Sequence, residues 1–304
     1  MKNTFKLLLI TVVLLSLNAC KQAEPTTLKV MSFNIWMGGG KSIQETANVF
    51  VTSGADIIGI QEAWGHEKDV AIHIADSLGW HSYNRSRSEV IISRYPIIDT
   101  SASKNGVKIK IDDKRFVWIF NHHLMYCPYE PYQLNGIEYC GAPLLTTSEE
   151  AVASATASRG EAVHTSINDI LQVQKEGYPI FVTGDFNEPS FLDWTDKAAE
   201  AGLHKMAVLW PSAKAFHDKA GFNDSYRTKY PEEVKYPGYT WTSIPPASNQ
   251  QEIMDRIDFV LFWGNKNIEL TDSQIIGEES PNSDIRIKNY PSDHRAVLST
   301  FLLK

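Results

Sequence analysis

The sequence predicts an α/β protein folded as a four-layer α/β/β/α sandwich, and three observations predict it. Short apolar runs alternate with helical patterns from residue 28 to the C-terminus. The runs are brief and bounded by turn residues, as strands are. Runs such as FVWIF at 116–120 and IFVT at 180–183 lack polar alternation. That pattern suits strands covered on both faces, which two sheets achieve by packing together under helices.

The elements follow in order. Residues 28–35 (LKVMSFNI) read as a strand. Ser42-Ile43-Gln44-Glu45 is a capping box opening a helix with Ile43, Ala47, Phe50 and Val51 on one face. Residues 56–61 (DIIGIQ) are a short apolar strand, and 70–78 read as a helix. Residues 89–93 (EVIIS) and 116–121 (FVWIFN) are buried strands, and 148–175 is a long helical stretch. Strands at 180–183 (IFVT), 258–262 (DFVLF) and 296–301 (AVLSTF) complete the set. Gly38-Gly39-Gly40 reads as a flexible turn and not as a phosphate cradle. Two segments, 125–147 and 226–254, are long and rich in Tyr and Pro. Loops of that length are usually functional or disordered, and their aromatics argue against disorder.

The N-terminus reads as a targeting segment. Lys2 and Lys6 form a basic start, and residues 7–17 are an apolar stretch too short to span a bilayer. Leu17-Asn18-Ala19-Cys20 resembles a bacterial lipobox, with Asn18 a less usual occupant. The expected organisation is a signal peptide at 1–19, a lipid-anchored tether at 20–27 with the lipid on Cys20, and one domain at 28–304. The protein is then exported and held on the cell envelope, and is expected to be a monomer. The competing reading is an ordinary signal peptide with an incidental cysteine. Cys127 and Cys140 remain as a pair in a disulfide-permissive setting, either joined or as two buried thiols.

Composition is ordinary for a globular chain, at 43% hydrophobic and 21% charged. The formal net charge of −7 becomes −9 once Lys2 and Lys6 are removed. An acidic surface argues mildly against tight, non-specific DNA binding. It does not exclude a nuclease, because a metal ion supplies local positive charge.

Polar residues fall at the ends of the apolar strands. Asn34 ends the first and Gln61-Glu62 the second. Asn121-His122-His123 and Gly184-Asp185-Phe186-Asn187 end two more, while Asp255 to Asp258 and Ser292-Asp293-His294 open the last two. All six groups can sit on one edge of a sandwich, where catalytic residues belong. Oxygen ligands dominate, which selects Mg²⁺, with Mn²⁺ or Ca²⁺ as alternatives, over zinc.

SFNIW, IIGIQEAW, IISRYPI, FNHHL, TGDFNEP, DRIDFVLF and SDHRAV stand in the order of the endonuclease/exonuclease/phosphatase superfamily, which the chain resembles from residue 28 onward. The resemblance implies a deoxyribonuclease I-like fold and Mg²⁺-dependent phosphoester hydrolysis by an activated water. It implies that Glu62 is the main metal ligand, with Asn34 beside it contacting metal or phosphate and Asp293 helping to bind the metal. Asp185 would align or deprotonate water, and Asn187 would orient it. His294 would bind or protonate the phosphate, with Asp258 holding its ring. His123 would contact phosphate oxygens, with Glu89 either its partner or a plain surface acid. Asp255 and His122 are the neighbouring alternatives to Asp258 and His123; strand alternation sends adjacent histidines to opposite faces. Arg94, Tyr126 and Tyr129 are the substrate-binding candidates, although Arg94 has a competing structural reading. The aromatics after His123 suit stacking on a ligand or packing within a disulfide-closed loop. The expected substrate is a small or membrane-derived phosphoester in preference to duplex DNA. The alternatives are an extracellular nuclease and a non-catalytic binding lipoprotein.

Overall fold

The computed structural model describes residues 24–39, 41–64, 69–246, 251–264 and 266–304. The expected signal peptide, Cys20 and the first residues of the expected tether lie outside these. In chain order the strands are β1 (Thr26–Asn34), β2 (Ile57–Gln61), β3 (His81–Asn84), β4 (Val90–Ser93), β5 (Ile97–Thr100), β6 (Gly106–Lys110) and β7 (Phe116–His123). They continue with β8 (Ile180–Asp185), β9 (Asn223–Asp224), β10 (Asp258–Trp263), β11 (Ile268–Gly277), β12 (Ile285–Arg286) and β13 (Ala296–Leu303). The helices are α1 (Ile43–Ser53), α2 (Val70–Leu78), α3 (Glu130–Leu134), α4 (Ser148–Val173), α5 (Asp196–Glu200), α6 (Pro211–Ala220) and α7 (Ser225–Lys229).

One sheet runs β12-β11-β13-β1-β2-β4-β3 and the other β5-β6-β7-β8-β10-β9. Their inner faces meet through Leu28, Val30, Ile57, Val107, Ile119 and Phe181. Helices α1 and α2 cover the first sheet with Val49, Phe50, Ala71 and Ile74. Helices α4 and α6 cover the second with Val163, Ile167, Ile170 and Phe216. These are the four layers, an α/β/β/α sandwich. Thr26 and Thr27, read from sequence as tether, already pair with Leu303 and Leu302 in β1.

Local chemistry sets the helix ends. Ser42 accepts a hydrogen bond from the Glu45 amide at the start of α1, and Gly54 ends it in the left-handed conformation. Thr147 and Glu150 form a full capping box on α4. That helix anchors the Tyr/Pro-rich segment before it. Arg159 donates to Glu130 at 2.8 Å with neither side chain exposed. Removing one partner from such a buried pair costs about 3–5 kcal/mol. Cys127 and Cys140 are joined across this segment.

Registry aligns the catalytic edge. Parallel pairing sets Asn34 opposite Gln61 and His123 opposite Asp185, and antiparallel pairing sets Asp258 opposite Asp185. A polar clasp fixes one sheet on the other just below that edge. Gln61 Nε2 donates to Asn121 Oδ1 at 2.6 Å, Asn121 Nδ2 donates to the Ile60 carbonyl at 2.8 Å, and the Gly184 amide donates to Ser32 Oγ at 2.9 Å. Gly59 is required there, since an added Cβ would lie 1.9 Å from Thr183 Oγ1.

Candidate active site

Asp185 stands at the centre of the edge and is almost fully buried. Its Oδ1 accepts the Asn187 amide at 2.9 Å, and its Oδ2 accepts Asn34 Nδ2 at 2.9 Å. The same Oδ2 is 3.7 Å from His123 Nε2 and 3.7 Å from His294 Nε2. Two imidazoles therefore face one carboxylate across gaps slightly too long for direct hydrogen bonds.

His294 is backed by Asp258, whose Oδ2 is 2.9 Å from Nδ1. Burial by itself would lower the imidazole pKa, but the charges of Asp258 and Asp185 outweigh it and lift it to about 10. Trp241 packs on the ring at 5.0 Å. The His294 amide donates to Ser292 Oγ, which donates to the Asn34 carbonyl, so β1 and the last loop are tied at this point.

His123 Nδ1 bonds Ser88 Oγ at 2.6 Å. Glu89, expected as the ring partner, instead accepts the backbone amide of His123 and pairs with Arg85. Sequence reasoning missed Ser88, because a serine in a polar turn carries no distinguishing pattern. His122 points into the helical layer, where Nε2 bonds Ser166 Oγ and burial lowers its pKa to about 3. Alternation along β7 thus separates the two histidines.

Glu62 ends β2 with a positive φ of 54°. Its Oε2 accepts the Met37 amide at 2.7 Å and its Oε1 accepts Asn34 Nδ2 at 3.2 Å. Asn34 was expected as a metal ligand. Its oxygen accepts the Trp36 amide at 3.0 Å, so it presents nitrogen to Glu62 and Asp185. Its nitrogen positions two carboxylates, and its oxygen keeps one lone pair beyond the Trp36 bond. Asn187, also left-handed at φ 47°, donates Nδ2 to the Leu124 carbonyl.

The glycine turn is a single left-handed turn, with Trp36, Met37, Gly38 and Gly39 all at positive φ. The following Lys41 donates to the Tyr290 carbonyl and Ser42 caps α1, so neither reaches the phosphate edge.

The donor set fits a hard divalent cation. Burial pushes the Asp293 carboxyl pKa up; the charge of His294 offsets part of this and that of Glu62 adds to it. Among the described residues no lysine or arginine forms a salt bridge with Glu62 or Asp293, so a cation would relieve their repulsion. Asp185, Asp258 and His294 also lie close enough together to hold an ion. That trio is a poorer cation site, because His294 is held protonated and its Nδ1 is used by Asp258.

Two expected substrate contacts are corrected. Arg94 donates to the Ala55 carbonyl, lies over Trp80 and sits beside Asp56 at the start of β2. That is roughly 20 Å of strand away from Glu62. Tyr129 is buried, and its hydroxyl donates to Asp255 Oδ2 at 2.7 Å. Asp255, the alternative to Asp258, is occupied with this tyrosine and with Trp194 and does not reach His294. Tyr126 is 56% exposed. It comes two residues after Leu124, whose amide donates to the Asp185 carbonyl.

Known proteins share this fold. A structure of the human nocturnin catalytic domain with bound sulfate superposes with a TM-score of 0.55 and 15% identity, covering 91% of this chain and 95% of that one. An endonuclease/exonuclease/phosphatase family protein from Bacteroides thetaiotaomicron gives 0.55 and 16%, covering 92% and 96%. An AP endonuclease from Archaeoglobus fulgidus gives 0.53 and 14%, covering 90% and 98%. In sequence, an uncharacterized Caenorhabditis elegans protein is 29% identical over 95% of this chain and 96% of its own length. The model of the Endonuclease/Exonuclease/phosphatase family matches residues 31–294, a span that begins within β1 and ends on His294 itself. With every strand-end residue of the site inside that span, the chain belongs to the endonuclease/exonuclease/phosphatase family, whose members are phosphoester hydrolases.

Proposed function

We propose that the protein is a divalent-metal-dependent phosphoesterase that hydrolyses a phosphodiester or phosphomonoester by in-line attack of water. The observation that carries this reading is Asp185 Oδ2 facing both His123 Nε2 and His294 Nε2 at 3.7 Å. A phosphoryl group docked in front of this edge meets two imidazole nitrogens and, beside them, a carboxylate for the attacking water. Asp185 orients that water and takes its proton, its own geometry fixed by Asn34 and the Asn187 amide. His294 donates from Nε2 to the oxygen that gains charge, while Asp258 holds Nδ1–H and stabilises the imidazolium. Glu62 and Asp293 would hold Mg²⁺, or Mn²⁺ or Ca²⁺, which neutralises phosphate charge when bound.

The substrate in this reading is small or membrane-derived and not duplex DNA. The segment after His123 supports it, because Tyr129, Glu130 and Arg159 pin it rigidly beside the edge and leave Tyr126 exposed. Such a wall narrows a groove into a pocket. Anchoring through a lipid on Cys20 belongs to the same proposal; Cys20→Ser should leave the membrane fraction or keep its leader.

The test compares kcat/KM on plasmid DNA, bis-p-nitrophenyl phosphate, sphingomyelin and inositol phosphates at fixed salt and Mg²⁺. Excess chelator should abolish turnover and Mg²⁺ or Mn²⁺ restore it, with Glu62→Ala folded but inactive. Full activity in chelator would sink the metal reading. A tenfold preference for DNA would replace the substrate reading with a nuclease.

A further inference from the structure

A cleft of about 800 Å³ opens beside the carboxylates, between the left-handed turn, residues 243–245 and the chain at Ile287 and Tyr290. We propose that it seats an alkyl chain esterified to the substrate phosphate, so that the substrate is an amphiphilic phosphoester. The inference rests on the phosphoesterase reading and adds the chemistry of the group the phosphate carries.

Position is the first argument. The walls are backbone neighbours of the two carboxylates assigned to the cation. The Met37 amide donates to Glu62 Oε2, and the Ser243 amide donates to the Asp293 carbonyl at 2.8 Å. A group lying in the cleft is therefore joined to a phosphate at the catalytic edge without a long spacer.

Lining chemistry is the second. Trp36, Met37, Ile244, Pro245, Ile287 and Tyr290 make the surface apolar. Three of its five polar members have partners, while Glu279 and Asn289, both exposed, have none among the described residues. Lys41 Nζ donates to the Tyr290 carbonyl, Ser243 Oγ donates to the Ser292 carbonyl, and Glu278 accepts Arg295. A sugar or base edge buried against Trp36, Ile244, Pro245 and Ile287 would leave its hydrogen-bonding groups unmatched, which is costly. An alkyl chain has none to match. Glu279 adds a negative charge at the lining, which disfavours a second phosphate there.

The lips are the third. Met37 is 46% exposed and Ile244 is 39% exposed, and both line the cleft. Met37 is held outward from a left-handed backbone at φ 50° that glycine adopts more readily. A large apolar side chain kept in that conformation at the mouth of a cleft marks a binding surface.

The experiment is a chain-length series of p-nitrophenyl alkyl phosphates, methyl to octyl, assayed below their critical micelle concentrations with Mg²⁺. kcat/KM should rise by up to about fourfold per methylene until the cleft is filled. Ile244→Asp, at an exposed position, should lower the octyl-to-methyl ratio at least tenfold. A flat series with active methyl ester overturns this inference and leaves the phosphoesterase reading standing. Calorimetry with methyl and octyl phosphate answers the question without turnover, and equal affinities overturn it. The same octyl ester presented in phosphatidylcholine vesicles distinguishes a membrane source from a soluble one. Retention of the chain-length effect in either form supports the cleft, and its loss in both removes it.

Discussion

Nδ1 of His294 and Oδ2 of Asp258 lie 2.9 Å apart, with the acid wholly buried and the imidazole nearly so. This pair fixes the ring so that Nε2 faces Asp185. In the same low-dielectric setting, burial raises the Asp258 carboxyl pKa, and even with the charge of His294 pulling the other way it stands at about 6. His294→Ala should lower kcat/KM by roughly 10²–10⁴-fold, the usual worth of one acid–base group. Asp258→Asn should cost less, since the amide still holds the ring. Steady-state rates on a chromogenic diester, with circular dichroism as the fold control, decide it. A near-normal His294→Ala would remove the histidine from the chemistry.

Tyr129→Phe separates packing from binding. The variant leaves Asp255 short of one hydrogen bond in a buried setting. It should lose about 1–3 kcal/mol of stability, because an unsatisfied buried acceptor bears the full desolvation penalty. KM should stay unchanged. Urea denaturation read beside kinetics tests this, and a raised KM with unchanged stability would return Tyr129 to the ligand.

The Cys127–Cys140 link encloses a sequence separation of 13 residues. Closing a loop of that size constrains the unfolded chain by about 3 kcal/mol. Non-reducing peptide mapping should recover the cross-linked pair, and replacing both cysteines by serine should lower Tm. Two thiols that alkylate freely in the native protein would refute the link.

Acid sensitivity should trace to His122. Burial lowers its pKa to about 3, so the folded state binds fewer protons than the unfolded chain between roughly pH 3 and 6.5. Its contribution is intact above that window and is lost as pH falls through it. Asp255 and Glu188, both raised to about 7 by burial, act with the opposite sign. The whole-protein profile therefore blurs these terms. The difference between His122→Gln and the parent isolates one, and should shift by up to about 1.4 kcal/mol per pH unit below 6.5. Parallel profiles would show that His122 does not titrate with folding.

Much of the sandwich was legible because fully buried strands are apolar throughout, as in IIGIQ, FVWIF and IFVTGD. Strands with one polar face were not. β11 reads IELTDSQIIG, and its alternation of acids and apolar residues carries no obvious period until β13 lies beside it. β3, HSYN, is an edge strand whose pairing rather than composition defines it. At the site, strand-end position placed Glu62, His123, Asp185, Asp258, Asp293 and His294 within one family pattern. What sequence could not supply was orientation. Nothing in SFNIW tells that the Asn34 oxygen turns to the Trp36 amide, or that Ser88 and not Glu89 meets the His123 ring. Arg94 follows a strand that begins at the site and ends away from it, a direction visible only once β4 is paired with β2.

The left-handed residues of the catalytic edge set stability against turnover. Trp36, Met37, Glu62 and Asn187 each hold a backbone shape that glycine takes without strain. Glycine at 62 or 187 would relax the chain and delete the carboxylate or the amide in the same stroke. A screen scored on heat resistance alone would thus be drawn to inactive molecules at these positions. Selection for catalysis keeps this edge among the least relaxed parts of the backbone.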